Sequence, residues 1–346
     1  MQGKNPGEVC ATVVLKEDST PYAETQEYTC EAPQCLNNDP FEGELMSWML
    51  YFSLINTLGG SDQISSTADA IWDVKRPQLL AINYTGSIVN EANRQYGTIN
   101  YNGDPIIGRH LRPVTTQQGL FFGGNEHVKL LFMPYRDVPV IDRVFKNAER
   151  IRTCNSMLMG VPGMFASAVN ATSPSPGIMS ANATLEYQVI NNAGIPSAAV
   201  FQQQELDVIT PYSIASTILY DRGTGLAWYK NMLDGKQMQT VYGSTAAARL
   251  DGSAVSRFVS WKTKAPILLA LTGGIVDIVR DAMKEDNIYE NFYQRIEDEY
   301  SRVFDDGSGK AGTTPIMGES VQMCLPNTPM PTSSLIDFSS CNSDSH

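Results

Sequence analysis

The stretch that most restricts the fold is DVPVIDRVFKNAERIRTCNSMLMG at 137–160. It reads as an amphipathic helix with Pro139 in the first turn and Gly160 as its stop, two positions where those residues suit a helix rather than break it. Other segments share its helical character. In FEGELMSWMLYFSLINTLGG at 41–60, Leu45, Trp48, Met49, Phe52 and Ile55 recur at spacings of three or four before Gly59 and Gly60 end the pattern. Trp48 is therefore expected in a core. A helix is also expected within residues 65–95, where Pro77 should start, kink or divide it, and further helices near 211–220, 223–233, 262–284 and 287–304.

The remaining segments are turn-rich. Residues 98–135, with YNGDP, suggest a loop or a small hairpin insertion. Residues 161–210 are helix-poor, punctuated by Pro162, Pro174, Pro176 and Pro196, with Pro211 just beyond; VYGSTAAARLDGS is a second turn-rich stretch. The expected organisation is an N-terminal arm over 1–40, a helical domain over 41–304 and an irregular tail over 305–346, so a mainly α chain whose two arms are irregular or short β. At 346 residues the chain can bury most of its apolar surface without a cofactor or metal to hold it together.

The formal charge of −12 argues against a nucleic-acid partner, which needs concentrated Lys and Arg. The densest basic stretch, KNAERIR at 146–152, is mixed in sign and reads as a solvated helix face. No run of about 18 apolar residues suggests a membrane span; the apolar stretch APILLALTGGIVDIV at 265–279 carries two glycines and Asp277, and reads as a buried helix.

Cys10, Cys30, Cys35, Cys154, Cys324 and Cys341 form no CxxC pair, and five of the six lie outside 36–323. Disulfides stapling the ends are the simpler account: Cys30 with Cys35 would close a small loop, and Cys324 with Cys341 would pin the tail. Such bonds need an oxidising compartment. The sequons at Asn83, Asn170 and Asn182 are compatible with a glycosylated, exported protein, and so is a charged fraction of only 18%. The start MQGKNPGEVC lacks the apolar core of a signal peptide, so export would imply a trimmed chain. A cytosolic enzyme of another class would require all six cysteines to be free thiols.

His110, His127 and His346 are the only histidines, and no GxSxG elbow is present, so a Ser-His-Asp triad or a histidine-rich metal site is disfavoured. Chemistry, if any, falls to carboxylates. Sugar hydrolysis needs one protonated and one ionised carboxyl flanking a bond, usually beside aromatic rings that stack on the sugar. Acidic residues beside aromatics or glycines are Asp73, Glu126, Asp137, Glu186, Asp207 and Asp251. For any one of them, salt bridging, helix capping or plain exposure is the commoner fate.

The segments FFGGNEHVKLLFMPY, MGVPGMFASA, LEYQ…GIPSAAV…LDVITPYS and VYGSTAAARLDGSAVSRFVSWKTKAPILLAL follow one another across 118–275 in an order that resembles the glycoamylase-like family of glucan hydrolases and cyclic β-glucan synthases. The resemblance implies an (α/α)6 toroid around a cleft, activity on glucans and no obligatory metal or other cofactor. It places Thr210-Pro211-Tyr212 at a helix start, with Glu205 and Asp207 on the loop before it near the cleft mouth, and sets Glu126 at the family's acidic position. On this reading Glu126, Asp207 and Asp73 are the catalytic candidates, and Asp137, Glu186, Tyr212, Trp261 and Asp251 bind the poly- or oligosaccharide.

The chain departs from the family pattern at Ala181, where an acidic residue is usual, and at FVSWKTKAP, where a histidine pair is usual. Two functions follow as expectations. One is a secreted glucan hydrolase. The other is a catalytically inactive toroid that serves as a carbohydrate-binding or self-assembling extracellular subunit, joining its copies through the arms.

Overall fold

The computed structural model describes residues 48, 69–70, 73, 83–86, 100–101, 104–105, 114–117, 129–164, 166–170, 187–192, 208–234, 238–250, 255–256, 259, 261–304 and 323–330. These divide between two compact units, Met1–Ile82 with Met283–Tyr289, and Asn83–Ala282 with Glu290–His346. The described structure is mainly helical, and its strands are short antiparallel pairs.

In the first unit Trp48 is helical and buried, in keeping with its place in an apolar stripe, and Asp73 is exposed on a helical turn. Residues 283–289 turn through Asn287 at φ 58°, with the Ile288 amide donating to the Met283 carbonyl at 2.9 Å.

The second unit opens with β1 (Asn83–Gly86), β2 (Asn100–Tyr101), β3 (Asp104–Pro105) and β4 (Val114–Gln117). β2 and β3 pair antiparallel, Asn100 with Pro105 and Tyr101 with Asp104, within the stretch expected as a loop or small hairpin insertion. Within 65–95, where a helix is expected around Pro77, residues 69, 70 and 73 are helical and the stretch beyond Pro77 includes β1, whose Asn83 to Gly86 pair with Gln117 to Val114. Tyr84 and Thr85 face Thr116 and Thr115, aromatic and β-branched residues that suit a ladder better than a helix.

Helix α1 (Pro139–Leu158) has Pro139 in its first turn, as expected. Gly160 ends it at φ 65°, its amide donating to Met157 at 3.1 Å while Val161 donates to Ser156 at 2.8 Å, which satisfies the last carbonyls. The hairpin β5 (Ala166–Asn170) and β6 (Tyr187–Asn192) occupies part of the helix-poor stretch. Then follow β7 (Val208–Ile209), a 3-10 turn (Pro211–Ile214), α2 (Ala215–Tyr220) and α3 (Arg222–Leu233). Asp221 caps α3, its carboxylate accepting from the Thr224 amide and hydroxyl at 3.0 Å each.

Three short strands, β8 (Gln239–Thr240), β9 (Gly243–Ser244) and β10 (Ala248–Arg249), lead to α4 (Trp261–Leu271), α5 (Val276–Glu285) and α6 (Tyr289–Phe304). The single helix expected over 262–284 is thus two. Gly274, at φ 79°, lies so close to Leu131 that a Cβ would overlap its carbonyl oxygen, and Ile275 donates to that same oxygen at 2.8 Å. The break is where another chain segment needs a backbone donor, and only glycine allows the approach.

The core of this unit joins Leu131, Cys154, Met157, Ile209, Ile214, Ile218, Trp228, Met232, Ile267 and Cys324. Cys154 and Cys324 are bonded to each other, so the tail is pinned by the central cysteine and not by Cys341. The Thr153 hydroxyl accepts from the Cys324 amide at 3.2 Å, and Trp228 Nε1 donates to the Cys324 carbonyl at 2.7 Å. Asn231 Nδ2 donates to Pro162 at 2.5 Å and to Thr328 at 2.9 Å. Residues 323–330 therefore pack on their own chain. Cys10, Cys30, Cys35 and Cys341 lie outside the described residues.

Candidate active site

Two of the proposed carboxylates adjoin one small ladder. β7 pairs antiparallel with β10, Ile209 with Ala248 and Val208 with Arg249. Asp207 precedes Val208 in the chain and Asp251 follows Leu250, so both continue from the same end of this ladder, although neither is among the described residues. The ladder is firmly seated: Val208, Ile209 and Ala248 are buried, the Thr210 amide donates to Met164 at 2.9 Å, and Thr210 Oγ1 donates to the Ala246 carbonyl at 2.6 Å. Thr210 also caps the following turn, accepting from the Tyr212 amide at 3.2 Å, with Pro211 next. Thr-Pro-Tyr is thus a helix start.

Tyr212 is buried at this start and does not present an open ring. Trp261 does: it heads α4 with 74% of its surface exposed. One turn further, the Lys264 amine donates to Ser244 Oγ of β9 at 2.7 Å. Burial lowers the Lys264 pKa to about 8, since desolvation disfavours the ammonium.

A second cluster carries Asp137. Both of its carboxylate oxygens are gripped by Arg280, from Nε at 2.6 Å and Nη2 at 2.7 Å, and Arg280 also reaches Asp277 at 2.5 Å. The hydrogen bond to Asp137 is the main reason the Arg280 pKa is pushed up. A carboxylate held this way suits fixing the Tyr135–Asp137 turn against α5 better than giving up a proton. Upstream, the buried Lys129 amine donates to the Tyr300 hydroxyl at 2.5 Å and lies 4.5, 5.3 and 5.1 Å from the ring centres of Tyr135, Phe145 and Tyr300. That cation–π cage anchors Lys129, which lies three residues after Glu126 in the chain. Glu126 and Glu186 lie outside the described residues, as do Asn182 and the three histidines; Asn83 and Asn170 are in β1 and β5. Among the described residues, no group of three or more His, Cys, Asp or Glu is placed to hold a metal, and no helix is long and apolar enough to cross a membrane.

Residues 2–101 and 98–342 match the family model of endo-beta-1,2-glucanase SGL, glycoside hydrolase family 162. The chain belongs to the endo-β-1,2-glucanase SGL family. Two solved structures are similar to it. One is the complex of endo-beta-1,2-glucanase from Talaromyces funiculosus with sophorose, 40% identical over 98% of this chain and 60% of that one, with a TM-score of 0.71. The other is a Glu-to-Gln mutant of the same enzyme with beta-1,2-glucan, also 40% identical over 98% and 60% of the two chains, with a TM-score of 0.70. The present chain spans about 60% of the length of these structures. No curated protein matches.

The SGL assignment corrects the glycoamylase-like one: a glucan-processing family is right, but the match that decides which family runs almost the full chain rather than through a few short segments. Sequence reasoning also misread one functional-looking stretch. KNAERIR is not a solvated face, because Asn147, Glu149, Arg150 and Arg152 are all buried. Arg152 Nη1 donates to Glu149 at 2.5 Å and to Ser216 Oγ at 2.8 Å, Nη2 donates to the Ser213 carbonyl at 2.6 Å, and Thr217 Oγ1 donates to the other Glu149 oxygen at 2.6 Å. This network ties α1 to α2 and to the turn that Thr210 starts. The Glu-x-x-Arg spacing at 149 and 152 is the signal that an ion pair on one face was available.

Proposed function

We propose that the chain is a secreted endo-β-1,2-glucanase built as an (α/α)6 toroid. The observation that carries this reading is the near-complete family match, joined to 40% identity with an enzyme solved with sophorose and with beta-1,2-glucan. A Glu-to-Gln change in the relative that holds polymer fits carboxylate chemistry, because the amide keeps the shape of the side chain and loses its proton transfer.

In this chain Glu126 is proposed as the acid that protonates the leaving oxygen of an internal β-1,2 bond, and Asp207 as the carboxylate that assists water. The pairing of β7 with β10, one end of which leads in sequence to both Asp207 and Asp251, supports this reading. Asp137 is proposed to shape the site through Arg280, and Trp261 is proposed to offer its exposed ring to glucan that extends beyond the cleft. Export is proposed on the Cys154–Cys324 bond, since cytosolic thiols are usually kept reduced.

The test is oligosaccharide release from linear β-1,2-glucan beside β-1,3-, α-1,4- and mixed-linkage glucans. Release from β-1,2-glucan alone, lost by a factor of about 100 or more in Glu126→Gln and Asp207→Asn, is expected if these groups act as acid and base. A folded protein that releases nothing from any polymer would leave the inactive, carbohydrate-binding toroid as the reading.

A further inference from the structure

We propose that the tip of the β8–β9 hairpin and the first turn of α4 form an auxiliary glucan platform, in which Tyr242 and Trp261 stack on sugar rings and Lys264 donates to their hydroxyls. The inference rests on the glucanase reading for its choice of sugar.

Tyr242 and Trp261 are 82% and 74% exposed. Their backbones are held. The hairpin closes through Thr240 Oγ1, which donates to the Gly243 carbonyl at 2.7 Å and accepts from the Tyr242 amide at 3.1 Å. It packs along the Lys264 stem, with a Cβ on Gly243 falling 3.9 Å from Lys264 Cδ and Cε. Trp261 lies three residues before Lys264 on α4, hence on the same helix face, and helical side chains lean toward the N-terminus, which brings the lysine toward the tryptophan. Each ring is thus tied by a short stretch of chain to the contact of Lys264 with Ser244, Tyr242 two residues before Ser244 and Trp261 three before Lys264.

The chemistry suits a carbohydrate. A sugar offers C–H faces for stacking and a rim of hydroxyls for hydrogen bonds, so its sites combine open rings with a few placed polar groups. An ammonium has three N–H donors and Ser244 takes one, leaving two for hydroxyls. The lysine's partner is a neutral hydroxyl rather than a carboxylate, so no ion pair must break when a sugar arrives. The strand also links the platform to the active site: Ser244 is four residues from Ala248, so the two ladders lie within roughly 14 Å of chain length. A chain running off the catalytic cleft would meet the platform as an outer contact.

The experiment is native affinity electrophoresis of the full chain in gels cast with linear β-1,2-glucan, comparing wild type with Trp261→Ala, Tyr242→Ala and Lys264→Met, with hydrolysis of the same polymer measured separately. The expected result is retardation of wild type, binding weaker by about 5- to 30-fold in either aromatic variant and about 3-fold in the lysine variant, with unchanged thermal melting. Equal retardation of wild type and both aromatic variants overturns the platform, and leaves the glucanase reading intact if oligosaccharides are still released. A wild type that releases oligosaccharides and is not retarded overturns it as well; one that does neither ends both readings. Retardation that depends on Trp261 without release keeps the platform and removes the enzyme. Loss of a dimer in size-exclusion light scattering of Trp261→Ala, with no change in retardation, gives this face to a second copy instead.

Discussion

Arg152 and Lys264 each donate to a serine hydroxyl, at 2.8 Å and 2.7 Å, yet one closes a core and the other edges a surface. Arg152 is buried and arrives with its own counter-charge, Glu149, whose second oxygen is taken by Thr217. Lys264 has the hydroxyl of Ser244 and lies beside exposed rings. A buried cation without a carboxylate would be strongly disfavoured, so the charge of the first site is balanced within the protein. Lys264 is half-buried and partly desolvated, with a neutral hydroxyl for a partner, so the second can leave donors unused until a ligand supplies acceptors. A closed network stabilises; an open one is available for binding.

The largest test of that contrast is Glu149→Ala, which strands the buried guanidinium and is expected to cost about 3–5 kcal/mol in denaturant unfolding. Adding Arg152→Ala should recover part of the loss, because it removes the uncompensated charge. A cost under about 1 kcal/mol would mean that water reaches Arg152, and the contrast with Lys264 would collapse.

Next comes the clasp on the closed side. Replacing Cys154 and Cys324 together by serine opens a cross-link across 170 residues and is expected to remove about 2–4 kcal/mol. Faster proteolysis within 323–330 should accompany it, since the bond to Cys154 is the covalent hold on that segment. Unchanged stability and proteolysis would show that Trp228 and Asn231 suffice to hold the tail.

The smallest effect belongs to the open side. The Lys264 pKa falls from an ordinary 10.5 to about 8 on folding, so between those values the unfolded chain holds a proton that the folded chain has released. Stability contributed by this group therefore rises with pH from about 8 to 10.5, and the penalty is full below 8. Lys264→Met should flatten that rise while changing stability near pH 7 by no more than about 1 kcal/mol after solvent screening. A rise that persists in the variant would assign it to another group.

Several local features are legible in the order of the residues alone. Pro139 and Gly160 bound α1 because one needs no amide partner and the other accepts a left-handed backbone. Thr210-Pro211 marks a helix start for a similar reason. The long helix expected over 262–284 misleads because apolar periodicity continues through Gly273 and Gly274, and nothing local reveals that the Leu131 carbonyl needs a donor there. KNAERIR misleads because charge on a helix ordinarily means water, while here the partners lie more than 60 residues away, on α2 and the turn before it.

The candidate site divides in the same way. Carboxylates near aromatics can be read off the chain, but the register of Val208 with Arg249 that joins the segments of Asp207 and Asp251 is a pairing between strands 41 residues apart. The 170-residue link between Cys154 and Cys324 is of the same kind. By itself the sequence determined helix ends, turns, the glucan-processing character and the shortage of histidine, because caps and composition act within a few residues. Which polar groups are buried, which cysteines meet and which rings stay open was decided only by tertiary structure, because those depend on surfaces brought together from distant parts of the chain.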